Sequence, residues 1–72
     1  MNQRLLKSIM IKNGDTGKEL AQALNISRST LSHKMTGYKG LCFTQREILI
    51  IKERYQLTAR EIEEIFFTQK PS

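Results

Sequence analysis

Three Thr-x-x-Glu steps constrain this chain more than any other feature: Thr16 with Glu19, Thr44 with Glu47 and Thr58 with Glu61. At such a step the threonine hydroxyl accepts from the backbone N–H of the glutamate, and the glutamate reaches back to the threonine N–H. That reciprocal cap starts a helix. The apolar spacing fills in the rest. Leu5, Leu6, Ile9 and Met10 predict a helix over 3–12, broken by Asn13-Gly14-Asp15, where Gly14 tolerates a left-handed cap. A second helix starts near Gly17 and ends near Asn25, which can take the positive φ of a tight turn. Ser27 caps a third, running to about Met35, with Gly37 as its stop. Tyr38-Lys39-Gly40 reads as a short loop, and Phe43 is placed to staple against Ile48. The fourth helix, about 45–55, is expected to bury Ile48, Leu49, Ile51 and Tyr55. The fifth opens at Thr58 and runs through Ile62, Ile65 and Phe66, and Pro71 closes the chain. No strand pattern, repeat or low-complexity segment competes. The expectation is one all-α domain over residues 1–72, with five short helices and C-terminal helices within 45–67.

A chain of 72 residues buries a thin core, so dimerisation or a bound partner would add stability. The net charge of +5 is unevenly placed. Residues 1–40 hold seven Lys and Arg against two Asp and Glu, whereas residues 41–72 hold five against five. The positive excess therefore lies wholly in the first half, where a phosphate backbone would find it. Cys42, the single cysteine, rules out an internal disulfide and a cysteine-based zinc cluster. It is expected to be a small buried apolar residue in a reducing cytoplasm. No run approaches the roughly 18 apolar residues of a membrane span, and residues 1–11 have no secretory pattern. A cytoplasmic protein without a membrane partner is expected.

Residues 17–37, GKELAQALNISRSTLSHKMTG, give two helices joined by a tight turn. Leu20, Ala21, Leu24, Ile26 and Leu31 form their apolar frame. Ser27, Arg28, Ser29, Ser32, His33 and Lys34 are left outward on the second helix. This is the pattern of a helix-turn-helix, spanning 17–36, whose second helix enters the major groove of double-stranded DNA. Arg28 is the best base reader, because its planar fork matches guanine O6 and N7. Thr16 and Lys18 flank the N-terminus of the first helix, and Lys34, Thr36, Tyr38 and Lys39 flank the far end of the second. These are candidate phosphate contacts that position without reading sequence. A solvated helix face explains any one of these polar residues alone. The apolar frame, the Asn25 turn, the Ser27 cap, the glycine stop and the segregated charge occur together.

The stretch LAQALNISRSTLSHKMTG, residues 20–37, resembles the lambda-repressor-like helix-turn-helix family, the small Cro and C-repressor type regulators of temperate phages. The likeness runs from about Leu5 to Leu57. It implies a five-helix lambda-repressor-like domain with Ala21 where the two helices cross and Ile26 and Leu31 anchoring the recognition helix. Residues matching Ser27, Arg28, Ser29, Ser32 and His33 would face the groove. Asn25 replaces the usual turn glycine, and Lys34 stands where an apolar residue is common, with Met35 to compensate. Residues 43–67 look like the C-terminal half of very small helix-turn-helix proteins from phages of Gram-positive bacteria, including the modulator-of-repression type. The resemblance implies a regulator in a lysis–lysogeny switch: either a Cro-like operator binder or an antirepressor that binds the cognate repressor protein.

Ile62, Ile65, Phe66 and Phe67 fall within six positions, the first three on one face and Phe67 about 100° round from Phe66. They are expected either to pack into the core or to form a homodimer or partner surface. Catalysis is not expected. Ser32 and His33 are adjacent and point about 100° apart on a helix, so they are not a nucleophile and its base. His33 has no second ligand with which to share a metal, and no cofactor motif or small-molecule site is read from the sequence.

Overall fold

The computed structural model describes residues 1–67, and Pro71 lies outside them. Five helices follow in order: α1 (Gln3–Lys12), α2 (Gly17–Leu24), α3 (Arg28–Thr36), α4 (Gln45–Tyr55) and α5 (Ala59–Phe66), with a short 3₁₀ turn, Tyr38–Gly40, between α3 and α4. The described residues are all-α and contain no strand. None of their helices is long and apolar enough to cross a membrane.

Every start is capped by a side chain, because the first turn of a helix leaves its N–H groups without intrahelical partners. Thr44 and Thr58 make full reciprocal boxes. Thr44 N–H donates to Glu47 Oε1 at 2.8 Å and Thr58 N–H donates to Glu61 Oε1 at 2.9 Å. Thr16 makes only half of one. Its hydroxyl accepts from Glu19 N–H at 3.2 Å, but Glu19 takes the threonine O–H instead of the backbone N–H. Asn2 caps α1, and its own N–H donates to Ile65 O at 2.7 Å, tying the start of α1 to the end of α5. Asn25 (φ 58°) closes α2 in the left-handed conformation and Gly37 (φ 75°) closes α3 likewise. Both turns sit where the sequence puts them.

Leu6 of α1, Leu20 of α2, Ile51 of α4 and Ile65 of α5 are fully buried, and Leu31 of α3 joins them at 2% exposure. Every helix thus anchors the core with at least one branched side chain, each expected to cost about 2–5 kcal/mol on truncation to alanine. Ala21, also buried, leaves room where α2 packs on α3. Two expectations change. Leu49 is 57% exposed, because α4 turns Glu47, Ile51 and Tyr55 inward and leaves Leu49 on the opposite side. Cys42 is exposed rather than buried, in the extended link before α4. Of the two placements open to the end of α5, Ile62 and Ile65 take the core. Phe66 is half-buried with its ring edge-on to Phe43, centroids 5.6 Å apart, and of the four only Phe67 is exposed.

Candidate nucleic-acid interface

Only Leu31 and Met35 of the nine α3 residues are buried, so most of this short helix faces solvent. Arg28, Ser29, Ser32 and His33 are exposed along it, and Thr16 and Lys18 are exposed at the start of α2. The two sets adjoin: a methyl group built on Gly17 would lie 3.7 Å from Arg28 Nε. The Arg28 guanidinium therefore lies near the first turn of α2, where the free N–H groups and the positive end of the helix dipole point outward. A cation beside a helix N-terminus favours an anionic oxygen.

Several candidate side chains are already engaged. The Ser27 hydroxyl accepts from Thr30 N–H at 3.1 Å and donates to Thr30 Oγ1 at 2.8 Å, so it serves mainly as the α3 cap. Thr36 donates to His33 O at 3.3 Å. His33 stacks on Tyr38 with centroids 4.6 Å apart, and Lys39 Nζ lies over the same Tyr38 ring at 5.3 Å. Far-end residues His33, Tyr38 and Lys39 thus form one exposed cationic–aromatic cluster, held by the turn that Gly37 makes.

Lys34 differs from its sequence-level reading. Its ammonium donates to Glu47 Oε1 at 2.6 Å and to Oε2 at 2.8 Å, and its side chain is only 13% exposed. The same Glu47 Oε1 accepts the Thr44 N–H. Lys34 therefore turns inward to join α3 to the cap of α4, and an apolar residue is not needed there because a matched carboxylate is present. Burial pushes the Glu47 carboxyl up, but the Lys34 ammonium and the Thr44 N–H outweigh it and leave the group below its usual range.

Two features were missed in the sequence. The first is a clasp: Asp15 accepts Arg54 Nε at 2.7 Å and Nη2 at 2.8 Å, together with the Tyr55 hydroxyl. No local spacing signals a contact across 39 residues. The second is a cleft of about 350 Å³ between α1 and α3, lined by Met10, Ile11, Leu31 and Met35 and rimmed by Lys7 and Arg28. Ile11, at 76% exposure, was its one visible signal, an apolar residue off the buried stripe of α1.

Among the described residues, Lys34 is the only cation of residues 1–40 in an ion pair; Arg4, Lys7, Lys12, Lys18, Arg28 and Lys39 have none. Of the two acids in that half, Asp15 is held by Arg54, and Glu19 is bonded to Thr16. The positive field of this half is therefore not neutralised from within. Among the described residues, no group of three or more His, Cys, Asp or Glu could hold a metal ion. No protein-family model, curated protein or solved structure matches the chain.

Proposed function

We propose that this chain is a small phage-type transcriptional regulator with a lambda-repressor-like helix-turn-helix, binding operator DNA in the manner of Cro. α2 and α3 form the motif. α3 lies in the major groove, with Arg28 bidentate to a guanine and Ser29 and Ser32 beside it. Thr16, Lys18 and the first N–H groups of α2 hold one phosphate strand, and Tyr38 and Lys39 approach the other. The observation that carries this reading is the exposed α3 face with Arg28 set against the N-terminus of α2, in a half of the chain whose cations are almost all unpaired among the described residues.

The test is titration of the protein into the duplex between its own gene and the neighbouring one, against random duplex, at physiological salt. Site-selective binding is expected. Arg28→Ala should cost about 1–3 kcal/mol on the specific site and far less on random DNA. An equal loss on both would make Arg28 a phosphate contact.

A second reading has its own support. With Lys34 bound to Glu47 and His33 stacked on Tyr38, Arg28 is the one long side chain on α3 left free to read a base edge. That is a thin code for an operator, and it favours an antirepressor that grips the cognate repressor through the same basic face. Weak binding, equal on both duplexes, together with release of operator from the repressor on addition of this chain, would select this reading.

A further inference from the structure

We infer that this chain associates head to tail with a second copy of itself, the α5 end of one molecule seated in the α1–α3 cleft of the next. Ile11 and Phe67 are the two most exposed large apolar side chains among the described residues, at 76% and 62%. Single exposed apolar residues need no explanation, but these two stand in matched surroundings. Ile11 opens onto a cleft of about 350 Å³ floored by Met10, Leu31 and Met35, with Lys7 and Arg28 on its rim. Asp15 also lines this cleft, but Arg54 already neutralises it. Phe67 closes α5 and lines one surface pocket with Asn2, Arg60, Glu63 and Glu64. The ring therefore has two carboxylates beside it. Glu64 touches Arg60 in an exposed pair, and Glu63 has no cation partner among the described residues.

An apolar cleft with a cationic rim and an aromatic knob with carboxylates beside it are complementary in shape and in charge. They cannot meet within one molecule. Phe67 lies beside Asn2 at the start of α1, whereas Ile11 is nine residues further along that helix, about 13 Å at the rise of an α-helix. A second copy supplies the knob. The contact joins two different patches, so it is heterologous and leaves a free cleft and a free knob at the ends of every open assembly. It also covers Arg28, so self-association withdraws that residue from any anionic partner. Association through this cleft does not depend on which partner α3 takes.

Sedimentation velocity tests it. From about 10 µM to about 1 mM, where a small contact of this kind associates, the wild-type mass should rise continuously from the monomer value of 8.4 kDa. Ile11→Asp and Phe67→Lys change exposed positions. Each should keep the helical circular-dichroism spectrum and remain monomeric. Mixed, the two variants retain one intact cleft and one intact knob, so the mixture should reach twice the monomer mass and stop there. A wild type that stays monomeric across the range overturns the inference. So does a variant that still associates alone, or a mixture that leaves two separate monomers.

Discussion

Asp15 sits in the turn between α1 and α2 and takes three donors from the far end of α4: two from Arg54 and the hydroxyl of Tyr55. The Arg54 guanidinium, opposed by partial burial and helped by Tyr55, holds the Asp15 carboxyl well below its usual range. Burial first, then the bond to Asp15, pushes the Tyr55 phenol well above its own. A carboxylate whose folded pKa is depressed contributes stability above its unfolded pKa and loses it as pH falls through the folded value. Asp15 and Glu47 both have this sign. Unfolding free energy should therefore be flat near neutrality and fall below about pH 4, where free carboxylates protonate. Asp15→Asn should cost about 1–2 kcal/mol at pH 7, between an exposed ion pair and a buried one. It should also flatten the acid limb, as followed by urea unfolding at a series of pH values. A variant with an unchanged acid limb would remove Asp15 as its source. Neither this clasp nor Lys34–Glu47 was legible in the sequence. Their partners stand 39 and 13 residues apart, and a charged side chain carries no local sign of what it will meet.

The helices themselves were largely legible, because caps and turns are local chemistry. Thr44–Glu47 and Thr58–Glu61 set the starts of α4 and α5, and Asn25 and Gly37 set the ends of α2 and α3, all within a few residues that interact directly. What escaped was orientation. Leu49 and Ile51 are equally apolar, and only packing on the neighbouring helices decides that Ile51 turns inward. Cys42 was expected inside from the habit of its residue type, yet it falls in a link that no helix covers. The end of α4 gives a second test. Gln56 closes that helix in the left-handed region at φ 56°, where glycine has no steric penalty. Gln56→Gly should raise stability by about 1 kcal/mol, the left-handed cost outweighing the added freedom of the unfolded chain. A drop in melting temperature would mean that the Gln56 side chain is itself holding the turn.

For the whole molecule, the division of charge matters more than its total. Among the described residues the first half keeps its positive excess unpaired, while Arg54 of the second half is held by Asp15 and Lys34 of the first by Glu47. Composition alone would count Lys18 and Lys34 as equal contributors to a phosphate-binding face, and the structure separates them. Lys18 is exposed at the start of α2, whereas Lys34 is bonded through both oxygens of a buried carboxylate. Under the DNA-binding reading, each cation that displaces a counterion from duplex DNA adds about 0.9 to the slope of log affinity against log salt. Lys18→Ala should therefore lower that slope by about 1, with a similar loss on specific and random duplexes. Lys34→Met, which keeps the stem and removes the charge, should leave the slope unchanged. Its cost should appear in stability, because Glu47 then stays buried without its cation. If Lys34→Met instead lowers the slope as Lys18→Ala does, Lys34 leaves Glu47 when DNA arrives, and the α3–α4 bridge is a contact that binding breaks.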